Sequence, residues 1–219
     1  MSMNSIENLK NRDYNKAIVF GGADITGVNK EFLEDKYIIA VDRGLGYIID
    51  NGIKFDTIIG DFDSLDTIYL HLLIENKEKV ISFNKDKDMT DLELAIIYLI
   101  QNGIDNIDIY GGIGSRLDHT LSNIYMLKKY RQSKITLINE NNYIFYLEKD
   151  KKIEKSDDYK YISILSTDEK CEFSVSGVKW PLQNHKLEYG SSLTISNEII
   201  DIANIKIHKG NLFVILSKD

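Results

Sequence analysis

The sequence predicts two domains: a Rossmann-like open α/β parallel sheet at the N-terminus and an all-β sandwich at the C-terminus. Short β-rich runs alternate with helix-like segments through the first part of the chain. Several of these runs are continuously apolar, which is typical of parallel strands covered on both faces. After Glu140 the pattern changes to short strands and turns. We therefore predict domains at residues 1–140 and 141–219.

The predicted elements follow this change of pattern. In the first domain the predicted strands are residues 17–20, 37–41, 57–59, 80–83, 107–110 and 135–138. The helix-like segments between them are residues 30–36, 45–51, 68–76, 91–101 and 119–131. Alternation of this kind is typical of βαβ units. In the second domain the predicted strands are residues 143–147, 161–165, 171–175, 192–195, 205–207 and 212–216.

Composition restricts the function. The chain has 219 residues, of which 34 are acidic and 27 basic, giving a net charge of −7. Such a surface repels polyanions, so we expect no nucleic-acid partner. The single cysteine, Cys171, cannot form an intrachain disulfide and fits a reducing compartment. With no signal-like or bilayer-length apolar segment, we predict a cytoplasmic protein without a membrane partner.

The strongest chemical signal is Gly60-Asp61-Phe62-Asp63-Ser64, which follows an apolar strand. Ligands of open parallel sheets bind at the carboxyl ends of the strands. In an extended segment, Asp61 and Asp63 project to the same side. They can therefore share a hard cation such as Mg²⁺, which prefers oxygen ligands. The alternative is a solvated aspartate turn.

A second acidic segment runs from Asp86 to Glu93. Thr90 and Glu93 have the spacing of a helix capping box, which would place Asp91 in the first helical turn. Capping leaves Asp88 unexplained, so metal or phosphate binding is the alternative. Asp42-Arg43 ends another strand, and Asp42 can meet the metal site, bind a ribose or cap the next helix.

A glycine-rich turn, Gly111-Gly112-Ile113-Gly114-Ser115-Arg116-Leu117-Asp118-His119, joins a predicted strand to a helix. Glycines let backbone N–H groups approach an anion, and Arg116 offers a planar donor fork suited to phosphate. Asp118 could instead cap the helix, and His119 could be a surface residue. The turn therefore indicates phosphate binding.

Two segments of the second domain offer ligand contacts. Trp180, the only tryptophan, precedes Pro181, the only proline. Tryptophan has a broad π face that suits a cationic ring, although a packing role is the alternative. Ser196 and Asn197 lie close to the predicted strand 192–195 and offer hydroxyl and amide groups.

Together these segments resemble the thiamine pyrophosphokinase family. The resemblance covers nearly the whole chain, from Gly21-Gly22 to Ser196-Asn197-Glu198. It depends on the order of five motifs: Gly60-Asp61-Phe62-Asp63-Ser64, Asp88-x-Thr90-Asp91, Gly112-x-Gly114-Ser115-Arg116-x-Asp118-His119, Gly177-x-Lys179-Trp180 and Ser196-Asn197. One departure is Ser115, where the family usually has glycine.

The resemblance implies a homodimeric enzyme with active sites between subunits. Its N-terminal domain would bind the nucleotide, and its β-sandwich domain would bind thiamine. The implied reaction transfers a diphosphoryl group from ATP to the hydroxyl of thiamine, which gives thiamine diphosphate and AMP. Mg²⁺ would be required, because the chain offers acids rather than a lysine cluster to the phosphates.

The roles of individual residues follow from the same resemblance. Asp61, Asp63 and Asp91 are the predicted metal ligands and, with Arg116, the predicted catalytic residues. Trp180, Ser196 and Asn197 are expected to bind thiamine or support its pocket. The predicted nucleotide-binding residues are Asp42, Arg43, Asp88, Thr90, Gly112, Gly114, Asp118 and His119.

Two other classes of protein remain open at this point. One is another Mg²⁺-dependent phosphoryl- or nucleotidyltransferase that acts on a different alcohol. The other is an inactive sensor that binds nucleotide without turnover. The reaction products separate them, because AMP indicates diphosphoryl transfer, ADP an ordinary kinase and pyrophosphate a nucleotidyl transfer.

Overall fold

A computed structural model describes residues 14–62, 67–82 and 88–218. The chain divides into two compact units, Met1–Glu140 and Asn141–Asp219. None of the helices within the described ranges is long and apolar enough to cross a membrane.

In the described part of the first unit, six strands lie parallel in a sheet. Its strands are β1 (Ala17–Phe20), β2 (Tyr37–Val41), β3 (Thr57–Gly60), β4 (Val80–Ser82), β5 (Asn106–Tyr110) and β6 (Lys134–Ile138). They lie in the order β6-β5-β1-β2-β3-β4, and every neighbouring pair is parallel. Each residue of β1, β2 and β3 is buried, so these apolar runs are covered on both faces.

Four α-helices accompany this sheet in the described part of the first unit. They are α1 (Gly44–Asp50), α2 (Leu70–Glu75), α3 (Asp91–Gln101) and α4 (Leu117–Lys129). Helix α3 buries a broad apolar face that includes Leu92, Ile96 and Leu99. Short 3-10 helices occur at Lys30–Leu33, Thr67–Tyr69 and Lys77–Lys79. The alternation of strands and helices predicted from the sequence is confirmed.

The second unit is built from antiparallel strands. They are β7 (Asn142–Leu147), β8 (Lys151–Glu154), β9 (Tyr161–Ser166), β10 (Lys170–Val178), β11 (Leu182–Glu188), β12 (Asn197–Lys209) and β13 (Leu212–Ser217). One sheet has the order β7-β13-β9-β12, and the other contains β8-β12-β10-β11. The long strand β12 belongs to both sheets, and apolar residues of both contribute to one core. The prediction of a β-rich second part is confirmed.

Two predicted elements are wrong. Residues 192–195 form a turn rather than a strand, because the Ser191 hydroxyl accepts from the Leu193 N–H at 3.3 Å. The Ile195 N–H also donates to the Ser192 carbonyl at 3.2 Å, which closes the turn. The predicted helix at residues 30–36 is only the short 3-10 helix Lys30–Leu33, and Asp35 follows it with a φ of 57°.

Candidate active site

Three aspartates meet at the carboxyl edge of the parallel sheet. Asp42 follows β2, Asp61 follows β3, and Asp91 is the first residue of α3. One carboxylate oxygen from each lies within 4.8 Å of the other two, and all three residues are half-buried. Three negative charges at this separation favour a cation among them. Because every donor is a carboxylate oxygen, this acid cluster fits a hard divalent ion such as Mg²⁺.

Backbone geometry at the ends of β2 and β3 brings two of these carboxylates together. Asp42 has a φ of 48°, a left-handed conformation that aspartate tolerates better than most residues. Its N–H donates to the Ile59 carbonyl at 3.1 Å, which joins the end of β2 to β3. A Cβ atom on Gly60 would collide with Oδ1 of Asp42. Glycine at this position therefore leaves room for the carboxylate.

Helix α3 supplies the third carboxylate. Thr90 is its N-cap, and the Thr90 hydroxyl accepts from the Glu93 N–H at 3.2 Å. Asp91 therefore lies in the first turn, where the helix dipole stabilises its negative charge. The two alternatives raised by the sequence for Asp91, helix terminus or metal site, are compatible. The capped helix start is what directs this residue into the acid cluster.

A cavity of about 410 Å³ adjoins these acids. Asp42 and Asp91 line it together with glycine-rich segments around Gly22 and Gly111–Gly114. Its size falls in the range of small-molecule sites. Among the predicted nucleotide-binding residues, the cavity lining includes Asp42, Arg43, Thr90, Gly112, Gly114 and His119, with Arg116 from the predicted catalytic set.

Two helical residues that the sequence analysis missed hold the glycine-rich turn in shape. The buried Asn123 donates from Nδ2 to the Gly112 carbonyl at 2.7 Å. The Thr120 hydroxyl donates to the Gly114 carbonyl and accepts from the Gly114 N–H, both at 3.1 Å. Both side chains also line the cavity. The Gly114 N–H is therefore already engaged within the protein.

Arg116 lines the same cavity, as does Arg43. Arg116 lies at the N-cap position of α4, and its side chain is 70% exposed. Its Nη2 donates to Oδ2 of Asp118 at 2.7 Å, and this bond holds the pKa of Asp118 below its usual value. Because Arg116 is the N-cap, Asp118 lies in the first turn of α4, and the capping role that the sequence offered for Asp118 is wrong.

Among the described residues, the predicted nucleotide contacts Asp88 and Asp118 neither join the acid cluster nor line the cavity. Asp88 is exposed. Asp63 falls outside the described residues. The acid cluster therefore contains Asp61 and Asp91 as predicted ligands, and it adds Asp42, which the sequence offered as a second candidate.

The second unit presents its tryptophan on a turn between β10 and β11. Trp180 is 55% exposed, whereas a packing role would have buried it. Asn197 contacts the backbone of Trp180 through two hydrogen bonds. Ser196 has a φ of 55°, and its N–H donates to the Ser163 hydroxyl at 2.9 Å. The three predicted substrate-binding residues thus lie in neighbouring segments of this unit.

A larger depression of about 1200 Å³ lies in the first unit, at the amino ends of the strands. Several of its polar groups are engaged within the protein. The Lys79 ammonium donates to the Phe55 carbonyl at 3.0 Å, and Asp56 accepts from the Ile38 N–H at 2.9 Å. The acid cluster is at the opposite edge of the sheet, so the smaller cavity is the stronger candidate site.

The parallel sheet, the acid cluster and the glycine-rich cavity define an α/β protein of the class that binds phosphate-bearing ligands at strand ends. Two family models match the chain. "Thiamin pyrophosphokinase, catalytic domain" matches residues 28–139, and "Thiamin pyrophosphokinase, vitamin B1 binding domain" matches residues 150–212. The chain belongs to the thiamin pyrophosphokinase family.

Individual relatives agree with this assignment. The thiamine pyrophosphokinase of Bacillus subtilis is 34% identical over 212 residues, which are 92% of this chain and 98% of the relative. The crystal structure of a Bacillus subtilis thiamine pyrophosphokinase has a TM-score of 0.85 at 33% identity and covers 93% of this chain and 99% of its own. The crystal structure of the Geobacillus thermodenitrificans thiamin pyrophosphokinase has a TM-score of 0.84 at 28% identity. The match covers 93% of this chain and 98% of that one.

Proposed function

We propose that this chain is a thiamine diphosphokinase, which transfers the diphosphoryl group of ATP to the hydroxyl of thiamine. The products are thiamine diphosphate and AMP. The observation that carries the proposal is the acid cluster of Asp42, Asp61 and Asp91 beside the glycine-rich cavity. The three acids and the cavity residues from Val41 to Asn123 lie in the part of the chain that matches the catalytic domain of the family.

Mg²⁺ is the proposed cofactor, because the donor set consists of carboxylate oxygens at short mutual distances. Asp42, Asp61 and Asp91 would hold it, and Asp63 remains a proposed ligand from its spacing to Asp61. When bound, the ion would offset the charge of the triphosphate and of the transferred group in the transition state. Asp88 remains a proposed nucleotide contact.

The residues around the cavity suggest how ATP would be oriented. Arg116 and His119 line it and would donate hydrogen bonds to phosphate oxygens. Arg43, just after the end of β2, and Thr90, at the start of α3, also line the cavity. Asn123 and Thr120 would keep the glycine-rich turn in one conformation. The backbone of Arg116, at the N-cap of α4, would then hold a fixed position beside the cavity.

The transfer step would break one bond and form one. The thiamine hydroxyl oxygen attacks the β-phosphorus of ATP, and the bond from this phosphorus to the α–β bridging oxygen breaks. AMP leaves with that oxygen, and the hydroxyl proton passes to a carboxylate of the acid cluster. In-line positioning and charge stabilisation supply most of the catalysis in such transfers.

The thiamine would be held on Trp180. Its thiazolium ring carries a permanent positive charge, and the exposed indole offers a π face for it. Ser196 and Asn197 would support this contact. The segment lies in the part of the chain that matches the vitamin B1 binding domain of the family.

We also propose the finer assignments implied by the family resemblance. The parallel sheet would be a Rossmann-like nucleotide-binding domain, and the two antiparallel sheets a β-sandwich for thiamine. The protein would be a homodimer with active sites between its subunits. An exposed apolar stripe on α4, formed by Leu117, Leu121 and Tyr125, supports self-association. The cytoplasmic location stays a prediction.

A product assay tests the main proposal. Purified protein is incubated with ATP, Mg²⁺ and thiamine, and the nucleotides and thiamine phosphates are separated by chromatography. We expect AMP and thiamine diphosphate in equal amounts, with neither formed when thiamine or Mg²⁺ is left out. ADP with thiamine monophosphate would indicate an ordinary kinase. Nucleotide binding without any product would indicate a sensor.

A further inference from the structure

The turn that carries Trp180 is fastened to the first two residues of β12. The Lys179 N–H donates to the Glu198 carbonyl at 2.9 Å. The side chain of Asn197 lies against the backbone of Trp180 itself. An exposed indole on a turn would ordinarily be mobile. Here its backbone is held although its ring is open to solvent.

Asn197 uses most of its hydrogen-bonding capacity within the protein. Its Oδ1 accepts from the Trp180 N–H at 3.1 Å and from the Glu198 N–H at 2.9 Å. Its Nδ2 donates to the Trp180 carbonyl at 2.8 Å. A primary amide offers two donors and two acceptor lone pairs, so only one Nδ2 hydrogen remains. This arrangement clamps both polar backbone groups of Trp180.

The indole ring has a second restraint on one face. The Lys179 ammonium lies 4.8 Å from the centroid of the Trp180 ring, within the range of a cation–π contact. Glu198 holds this ammonium at 3.0 Å. The face opposite Lys179 is therefore the one that a cationic ligand would meet.

We propose that Asn197 is a positioning residue, which fixes Trp180 so that its open face receives the cationic ring of the substrate. This inference rests on the proposed function, because the substrate is taken to be thiamine. Asn197 acts through Trp180 and does not need to touch the ligand. Because a flexible aromatic loses entropy when a ligand orders it, a clamped ring binds more tightly.

The N197L variant tests the proposal, since leucine matches asparagine in size and makes none of the three hydrogen bonds. Trp180 is the only tryptophan, so its fluorescence reports this side chain alone. Without ligand we expect lower steady-state anisotropy and a red-shifted emission in N197L. We also expect the KM for thiamine to rise about tenfold, with kcat and the KM for ATP within about twofold of the parent.

Matched variants keep the test decisive. N204L removes an exposed side-chain hydrogen bond, from Asn204 to the Ile202 carbonyl, in the same strand and should change none of these readouts. If N197L does not fold, N197D replaces it. The aspartate keeps the two accepted bonds and loses the donated one, so intermediate anisotropy is expected.

Two results would overturn the proposal. One is unchanged Trp180 anisotropy in N197L. The other is a loss of thiamine binding with unchanged Trp180 fluorescence, which would mean that Asn197 contacts the ligand directly. The ligand-free anisotropy is independent of the substrate, so a protein that fails to use thiamine would contradict the proposed function while leaving the clamp measurable.

Discussion

Asp91 has two roles that a single substitution can separate. Its charge favours the start of α3, and its oxygen joins Asp42 and Asp61 in the acid cluster. Asparagine at a first-turn position is a modest loss for a helix, about 0.3–1 kcal/mol at most. If the acid cluster holds Mg²⁺ as proposed, loss of one of its three carboxylates removes charge that the ion needs. The catalytic effect should therefore far exceed the structural one.

We expect D91N to lower kcat by about a thousandfold or more while the thermal unfolding midpoint changes by only a few degrees. Steady-state AMP formation and a thermal melt measure the two effects. D105N is the matched control, because Asp105 is exposed and lies in the α3–β5 connection, away from the acid cluster. Near-normal turnover in D91N would reduce Asp91 to a helix-start residue.

A substitution of Trp180 should separate thiamine binding from ATP binding. We expect W180A to raise the KM for thiamine about tenfold or more and to change the KM for ATP little, because the indole face is lost and the cavity is untouched. Initial-rate kinetics with each substrate varied measure this. Y189A removes another exposed aromatic of the same unit and serves as control. If W180A unfolds instead, Trp180 is a packing residue.

At the scale of elements, α3 and α4 are joined by an ionic contact that a capping box does not predict. The Glu93 carboxylate accepts from Lys129 at 2.5 Å and from the Tyr130 hydroxyl at 2.7 Å. Burial raises the pKa of Glu93, but the two hydrogen bonds and the positive charge of Lys129 together outweigh it, so the net pKa lies below the usual 4.5. The contact links the helix that starts at Asp91 to the C-terminal end of α4.

This contact makes the free energy of unfolding depend on pH in the acidic range. Because the folded pKa of Glu93 is lowered, its contribution is complete above the unfolded value near 4.5 and is lost as pH falls through the folded value. We expect E93Q to lower the free energy of unfolding by about 1–2 kcal/mol at pH 7. The difference from the parent should shrink below pH 4.5 in urea titrations.

E75Q is the control for this pH series, since Glu75 is an exposed acid at the end of helix α2. A difference between E93Q and the parent that stays constant from pH 7 to acid would mean that the ionised carboxylate contributes nothing at this contact.

The sequence predicted the elements best where one local pattern was decisive. Strands β1 and β2 have the bounds predicted from their apolar runs, β6 begins one residue earlier than predicted, and the capped start of α3 at Asp91 followed from Thr90. Strands β8 and β11 were missed because they are short or largely exposed and lack a continuous apolar run. Residues 192–195 have an apolar alternation, but the preceding Ser191 hydroxyl accepts from the Leu193 N–H and favours a turn.

The residues of the candidate site were likewise predicted where a local sequence pattern marked them and missed where none did. Asp42, Asp61 and Asp91 were recognisable because acids at strand ends and helix starts converge on one edge of a parallel sheet. Asn123 and Thr120 were not, because a polar residue inside a helix has no local signal of the loop that it supports. The hydrogen bonds of Asn197 to Trp180 likewise depend on the pairing of distant strands.

At the scale of the whole molecule, the apolar stripe on α4 gives a prediction about assembly. Leu117, Leu121 and Tyr125 recur every four residues and are 71%, 52% and 57% exposed. The proposed homodimer would cover such a stripe. We expect the parent to have the mass of a dimer by light scattering and L121D to shift toward the monomer. Q101D adds the same charge at an exposed end of α3 and should stay dimeric.

The distribution of chromophores divides the molecule for spectroscopy. All the helices in the described part of the chain lie in the first unit, whereas the lone indole lies in the second. Circular dichroism at the helical band thus follows melting of the first unit, and tryptophan emission excited at the red edge follows the second unit. Coincident melting curves would identify one cooperative unit, and separate curves two. The natural chain can be followed half by half without any added label.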